Sequence, residues 1–162
     1  MSERLTAGTA VQWAEGSWTA VVTPNGLMLL PPEVSDELVN RVWRLLRSGS
    51  ATMTDVLDEL LVAQGGRIAS IPDFALLLLS DNGDVHLALR GVPALEVDGE
   101  IVDARAVSTW CETVLPAPSS VQVRVHEAPG ARMRPVVDGV VAASVVRLGD
   151  QHTAAVATAD EA

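Results

Sequence analysis

The sequence predicts an α+β protein in which the strands of an antiparallel sheet surround one pair of helices. Three observations favour this class. Short apolar runs rich in β-branched residues fill both ends of the chain, two amphipathic segments follow residue 30, and Asn-Gly or Asp-Gly pairs mark tight turns between strands. Because no helices are expected between the later strands, the pattern argues against a parallel α/β sheet. The expected architecture is an antiparallel β-sandwich or sheet with the helix pair inserted after a three-strand meander.

The strands are expected to be organised around a central hairpin, Phe74–Gly91. Its Asn82-Gly83 pair predicts a two-residue type I′ turn, in which both residues have positive φ. This turn would place Leu79 opposite His86. The first strand of the hairpin is apolar on both faces, which is typical of a central strand that is covered on both sides.

Residues 9–30 are expected to form the meander. Gly16 is placed at its first turn and Asn25-Gly26 at its second, because these residue types supply the backbone freedom that tight turns need. Pro31-Pro32 then ends the third strand and fixes φ for entry into a helix.

Two consecutive amphipathic segments follow, predicted as helices over residues 33–47 and 53–64. The second has a capping box formed by Thr52 and Asp55. The first begins either at Pro32 or with Ser35 as its N-cap. The short linker between the segments indicates an antiparallel pair on one face of the sheet.

The second half of the chain is predicted to be almost entirely strand. The expected strands are 92–97, 100–102, 107–115, 121–125 and 136–148, the last of them interrupted near Asp138-Gly139. Asp98-Gly99 predicts another type I′ turn, and residues 127–135 are expected to form a loop. Residues 8–148 should therefore form a single α+β domain, and residues 149–162 a flexible tail or linker.

Composition limits the classes of partner. The chain has 162 residues, 48% hydrophobic and 20% charged, and a formal net charge of −10. An acidic surface repels phosphate backbones and anionic membranes, so neither nucleic acid nor a membrane is an expected partner. The N-terminus lacks a signal-peptide pattern and no apolar run has the roughly 18 to 20 residues that span a bilayer, so a cytoplasmic location is expected.

No catalytic, cofactor or metal site can be assigned from the residues. The three histidines are far apart, the single Cys111 excludes an internal disulfide or a cysteine-based zinc site, and there is no Walker A loop or Gly-x-Gly-x-x-Gly motif. Asp81 and Asp84 flank the central turn, where two close carboxylates could bind Mg²⁺ or share a proton. The preferred interpretation is that both are solvated turn residues.

Four side chains are the candidate interaction residues: Trp13, Trp18, Arg90 and Trp110. A tryptophan on a strand is either a core residue or an exposed anchor for a protein partner. Arg90 is expected on a mostly apolar face opposite Ala75. It would therefore pair with a carboxylate, reach a sheet edge, or hold an anionic ligand.

Six segments carry a family resemblance. They are Gly16-Ser-Trp-Thr-Ala-Val-Val22, Leu29-Leu-Pro-Pro32, Val56-Leu-Asp-Glu-Leu-Leu61, Pro72-Asp-Phe-Ala-Leu76, Val85-His-Leu-Ala-Leu-Arg-Gly91 and Val107-Ser-Thr-Trp110. In this order they resemble the N-terminal domain of actinobacterial forkhead-associated (FHA) domain proteins, over residues 8–148. The resemblance implies an adaptor in Ser/Thr phosphosignalling whose phosphothreonine-reading module would lie C-terminal to this domain.

The order of elements is also similar, at the level of the fold, to PP2C-type phosphatases, in which acidic residues at strand ends bind two metals. In this chain the early turn reads Thr23-Pro-Asn-Gly26, where a metal-binding enzyme would show Asp-Gly. That similarity implies a degenerate, non-catalytic relative.

The sequence therefore predicts a non-enzymatic protein-interaction or adaptor domain with an unidentified protein partner and no cofactor. Two alternatives stay open. One is a divergent metal-dependent phosphatase that uses Asp81 or Asp84. The other is a homo-oligomeric scaffold that pairs through an exposed edge strand such as Val121–Val125.

Overall fold

The computed structural model describes residues 10–126 and 132–149 and shows a mixed α+β protein, as predicted. The predicted tail after Gly149 and most of the predicted 127–135 loop lie outside the described residues. The helices are α1 (Asp36–Arg47) and α2 (Met53–Ala63). The strands are β1 (Val11–Thr23), β2 (Gly26–Leu30), β3 (Phe74–Leu79), β4 (Val85–Arg90), β5 (Ala94–Val97), β6 (Glu100–Asp103), β7 (Cys111–Leu115), β8 (Ser120–Arg124), β9 (Arg134–Val136) and β10 (Gly139–Gly149).

The strands form one antiparallel sheet in the order β6-β5-β8-β10-β1-β2-β3-β4-β7, and the short β9 pairs with the start of β1. This sheet curls into a nearly closed barrel. Leu87 of β4 and Leu95 of β5 belong to one buried cluster, although five strands separate β4 from β5 in the sheet order. One face of the sheet therefore lines the barrel interior.

The two helices cover part of the outer face. Phe74 and Leu76 of β3 are buried in a cluster with the apolar sides of α1 and α2, whereas Ala75 and Leu77 are buried in the barrel interior. Because side chains alternate along a strand, β3 needs apolar residues at every position. The prediction of a central strand covered on both faces is confirmed.

The predicted turn at Gly16 is wrong, because β1 is a single strand of 13 residues with a β-bulge between Ala14 and Trp18. A Cβ atom at Gly16 would lie 2.4 Å from the backbone nitrogen of Ser144 on the neighbouring strand. Gly16 is therefore required by the close approach of the two backbones. Two strands, and not the predicted three, precede the helices.

The bulge also bends β1 sharply. Val11 pairs with Val136 and Val22 pairs with Gly139, so the two partners are only three residues apart in the chain. Three residues reach at most about 11 Å, whereas the eleven from Val11 to Val22 would extend to about 36 Å in a straight strand. A bulged strand that turns a corner satisfies both pairings and closes the barrel. The predicted interruption near Asp138-Gly139 separates β9 from β10, and β9 begins at Arg134, inside the segment predicted as a loop.

The predicted type I′ turn in the central hairpin is also wrong. The loop has three residues, Asp81–Gly83; the Ser80 N–H donates to the Asp84 carbonyl at 3.0 Å, and only Gly83 of the Asn-Gly pair has positive φ. This is the pattern of a type I turn followed by a glycine bulge. The register shifts by one residue, so that His86 lies opposite Leu78 and Arg90 opposite Phe74.

The other two predicted turns differ in outcome. Asp98 and Gly99 both have positive φ and link β5 to β6 in a two-residue loop, which confirms the predicted type I′ turn. Between β1 and β2, Thr23 pairs directly with Gly26, so the loop residues are Pro24 and Asn25. The predicted Asn25-Gly26 turn is therefore displaced by one residue.

Both helix starts follow from their caps. The Ser35 hydroxyl accepts a hydrogen bond from the Leu38 N–H at 3.2 Å, so α1 begins after Ser35 and not at Pro32. The predicted capping box between Thr52 and Asp55 at the start of α2 is confirmed. Neither helix in the described part of the chain is long and apolar enough to cross a membrane.

Candidate functional site

An open groove of about 440 Å³ runs between the two helices, and we call it the α1–α2 groove. It is lined by Arg41, Arg44, Leu45, Ser48 and Glu59. The apolar side of α1 faces the sheet, because Leu38, Val39, Val42 and Leu46 are buried there. The 3.6-residue period of the helix then leaves its arginines on the exposed side.

The arginines of α1 are used in different ways. Arg41 pairs with Glu37 one turn earlier, and Arg47 forms an ion pair with Asp138 at 3.3 Å. The side chain of Arg44 is exposed and forms no hydrogen bond or ion pair with any residue in the described ranges. The groove therefore presents a guanidinium that forms no ion pair in the described residues, on a chain whose formal net charge is −10.

Asp138 fixes the C-terminal half of α1 to the turn between β9 and β10. The indole Nε1 of Trp43 donates to Asp138 Oδ1 at 3.2 Å, and the Arg47 guanidinium lies 5.1 Å from the centre of the Trp43 ring. This combination of a hydrogen bond, an ion pair and a cation–π contact holds the helix that carries the groove. Nothing in the local sequence indicates it, because Trp43 and Asp138 are 95 residues apart.

Arg90 clamps two loops near the start of β7. Its guanidinium donates to four backbone carbonyls: Ile68 at 3.3 Å, Ile71 at 3.0 Å, Ser108 at 3.1 Å and Thr109 at 2.6 Å. Of the partners predicted for Arg90, a carboxylate is absent among these bonds, and backbone carbonyls accept from the guanidinium instead. The predicted strand 107–115 is too long, because β7 begins at Cys111 and the carbonyls of Ser108 and Thr109 bond to Arg90.

The three tryptophans proposed as interaction residues lie in different places. Trp18 is buried in the barrel interior and the half-buried Trp13 packs against the same cluster. Trp110 packs against the cluster that β3 forms with the two helices, and its indole N–H donates to Glu112 at 3.4 Å. Trp13 and Trp18 thus share the barrel-interior region, whereas Trp110 follows Thr109, whose carbonyl accepts a hydrogen bond from Arg90. A role for these four residues in partner binding stays a prediction.

Glu112 connects two strands at the end of the sheet. Its Oε2 lies 3.0 Å from Nε2 of His86 on β4, while its Oε1 accepts the Trp110 N–H. Both members of the His86–Glu112 pair are more than a third exposed. Such a pair contributes little to stability, but together with the Trp110 bond it gives each oxygen of Glu112 a hydrogen-bond partner.

The carboxylates at the central turn have different environments. Asp84 Oδ1 accepts the Ala117 N–H at 2.8 Å and Oδ2 accepts the Asn82 amide at 3.2 Å, whereas Asp81 is exposed. Within the described residues, no three His, Cys, Asp or Glu side chains are grouped as a metal site would require. A small apolar cavity of about 20 Å³, lined by Val11, Leu77 and their neighbours, has room for about one water molecule.

Comparison with known proteins gives no relative. No protein-family model matches the chain, and no curated protein or solved structure matches it at a significant level. The resemblance to FHA-protein N-terminal domains and the similarity to PP2C-type phosphatases therefore stay predictions.

Proposed function

We propose that this protein is a non-enzymatic interaction domain that binds an acidic segment of a partner protein in the α1–α2 groove. The observation that carries the proposal is Arg44, which is exposed and without a partner in the described residues, beside Arg41 in an open groove. The proposal is consistent with an adaptor that forms the N-terminal part of an FHA-type phosphosignalling protein.

The chemistry of the groove suits an anionic side chain. A guanidinium is planar and always charged, and it can donate two parallel hydrogen bonds to one carboxylate or phosphate. The half-buried Leu45 offers apolar surface beside the arginines, and Glu59 on α2 repels an anion from the opposite wall. An acidic segment is therefore directed to the α1 side of the groove.

The overall charge adds specificity to this arrangement. With a formal net charge of −10, most of the surface repels an acidic partner, and a local group of arginines then determines where and how it docks. Complementarity of this kind contributes more to orientation and association rate than to affinity. Binding should accordingly weaken as salt concentration rises.

The experiment compares the wild-type protein with two double variants of equal charge. R41S/R44S removes the groove arginines, and R67S/R105S removes two exposed arginines elsewhere. Proteins retained by each immobilised domain from an extract of the source cells are quantified. Synthetic acidic segments of the retained proteins are then titrated by fluorescence anisotropy.

We expect R41S/R44S to bind these segments at least tenfold more weakly than the wild type, and R67S/R105S to bind as the wild type does. Equal affinities for the two double variants would overturn the proposal, as would a wild-type domain that retains no protein above R41S/R44S.

The alternative of a divergent metal-dependent phosphatase stays a prediction, as do the narrower fold assignments of a β-sandwich and a degenerate PP2C-like fold. Asp84 accepts backbone and side-chain N–H groups and would have to exchange them for a metal. An assay of a generic phosphomonoester with Mn²⁺ or Mg²⁺ tests this alternative, and activity that disappears in an Asp84→Asn variant would support it.

A further inference from the structure

The strand β7 lies at one end of the sheet order. It forms hydrogen bonds to β4 on one side, and no strand in the described part of the chain pairs with its other side. Its central residues are exposed, with Val114 at 53% of its full accessible surface. The interior strand β8 is paired on both sides, which excludes Val121–Val125 as the predicted edge for homo-oligomer formation.

The two edges of the sheet are protected to different degrees. Glu100 and Asp103 are the two end residues of β6, which also carries the exposed Ile101. Charged residues at an edge oppose the addition of another strand. The one charged residue of β7 is Glu112, whose carboxylate is already engaged by His86 and Trp110. β7 is therefore the edge that is open to a further strand.

The side chains of β7 alternate between the two faces of the sheet. Cys111 and Leu115 pack against the barrel-interior cluster, whereas Glu112 contacts His86 on the other face. In an antiparallel pair, residues directly opposite each other lie on the same face. The odd-numbered residues of β7 face the barrel interior. In an added strand, the residues opposite them must therefore face the interior as well.

We propose that a second copy of this chain adds its own β7 to this edge and forms a two-fold symmetric dimer with Thr113 opposite Thr113. In this register Glu112 lies opposite Val114 of the second copy, and Cys111 opposite Leu115. All five residues pair, apolar Cys111–Leu115 pairs lie on both sides of the central Thr113 pair, and no like charges face each other. The proposal is independent of the proposed function, since it uses a different surface.

Neighbouring registers that keep the same facing are less favourable. A shift centred on Glu112 would place the two Glu112 carboxylates opposite each other, which is destabilising. A shift centred on Val114 would place Pro116 opposite Glu112, and proline has no N–H to donate to the ladder. The sequence of β7 is thus self-complementary in one register.

Net charge predicts how this dimer responds to salt. Each copy carries a formal charge of −10, so two copies repel each other at low ionic strength. Added salt shortens the range of this repulsion to about 10 Å at 0.1 M. The dimer should therefore strengthen with salt, whereas binding of an acidic segment to the α1–α2 groove should weaken.

The test is analytical ultracentrifugation of the full chain over a concentration series at low and high salt. Thr113→Lys places two ammonium groups opposite each other at the two-fold axis and should weaken the dimer at least tenfold. Ile101→Lys introduces the same residue on the β6 edge and should leave the dimer unchanged. Val114→Arg should strengthen the dimer, because each copy's arginine would lie opposite Glu112 of the other copy, which gives two ion pairs.

Thermal unfolding of each variant shows whether it is folded, since Thr113, Ile101 and Val114 are all exposed. A cysteine pair gives a second readout. In a Cys111→Ala background, Thr113→Cys should form a dimer-linking disulfide when oxidised glutathione accepts the two electrons, and Ile101→Cys should not.

A wild-type protein that stays monomeric at every concentration and salt condition would overturn the proposal. Equal dissociation constants for Thr113→Lys and Ile101→Lys would do so as well. Dimer formation blocked by Ile101→Lys alone would instead assign self-association to β6 and contradict the choice of edge.

Discussion

The two edges of the sheet, β6 and β7, are held in place by different kinds of interaction. β6 belongs to a hairpin with a two-residue turn, Asp98-Gly99, so residues next to each other in sequence position it. β7 is fixed by contacts that span 18 to 33 residues: the Arg90 clamp, the His86–Glu112 pair and the bond from Ala117 to Asp84. An edge built by a turn is encoded locally, whereas an edge built by side chains that bind distant backbone depends on the whole fold.

The largest expected effect comes from removing the clamp. Arg90→Met keeps an unbranched, flexible stem but removes the guanidinium and its hydrogen bonds to four carbonyls. We expect the free energy of unfolding to fall by about 3 kcal/mol, since each of the four bonds contributes on the order of 1 kcal/mol net and the bond to Ile71 is partly buried. Urea unfolding measures the change.

Arg105→Met provides the control, because Arg105 is 82% exposed and should change stability by less than about 0.5 kcal/mol. Arg90→Lys should recover only part of the loss, since an ammonium group cannot reach the carbonyls of both loops in one geometry. A loss below about 1 kcal/mol in Arg90→Met would show that these loops hold β7 without the clamp.

The next largest loss of stability is expected at Gly91, which we compare with Gly99 in the turn before β6. Gly91 follows β4 with φ of +73°, and a Cβ there would lie 2.2 Å from the Asp73 carboxyl group, which accepts the Val92 N–H. Gly91→Ala should therefore cost about 2–3 kcal/mol, from backbone strain and a lost hydrogen bond. Gly99→Ala, with φ of +91° and open space around it, should cost about 1 kcal/mol.

Thermal unfolding of the two alanine variants measures both changes. Equal losses would mean that backbone strain alone determines the result and that the Asp73 contact contributes nothing.

The same distinction explains how much of the fold could be predicted from the sequence. Period, caps and turn residues act within a few positions, so the helices, the capping box and the Asp98-Gly99 turn follow from local patterns. The prediction of a turn at Gly16 was wrong, because a glycine that is required by a neighbouring backbone looks the same in sequence as a turn glycine. The predicted type of the central turn was wrong, because Asn-Gly occurs in both two-residue and three-residue loops. Which of the two forms depends on how the strands pair in the sheet.

The candidate site was less predictable for the same reason. The arginines of α1 are visible in the sequence as a charged helix face, but their pairing is not. Arg47 reaches Asp138 from 91 residues away in the chain, while Arg44 is left without a partner in the described residues. An unpaired charge is a property of the fold, since it depends on which distant residues fail to approach.

The bond that closes the far end of β7 should have a moderate effect. Asp84→Ala removes the acceptor of the Ala117 N–H and of the Asn82 amide, and should lower the free energy of unfolding by about 1–2 kcal/mol. Asp81→Ala is the matched control, because Asp81 is an exposed neighbour in the same loop and should change stability by less than about 0.5 kcal/mol. Chemical denaturation of both variants at neutral pH measures the difference, and equal values would remove Asp84 from the contacts that hold β7.

The smallest expected effect is at the His86–Glu112 pair. Both side chains are exposed by about two fifths, so water screens their attraction and the pair should contribute about 0.2–1 kcal/mol. A double-mutant cycle with His86→Ala and Glu112→Gln isolates this coupling, with unfolding measured at low and high salt. A coupling that exceeds the effect of Asp84→Ala would mean that side chains on the sheet surface, and not the loops at its ends, hold β7 against β4. Since Glu112 faces Val114 across the proposed dimer interface, the same Glu112→Gln variant should dimerise as the wild type does at high salt.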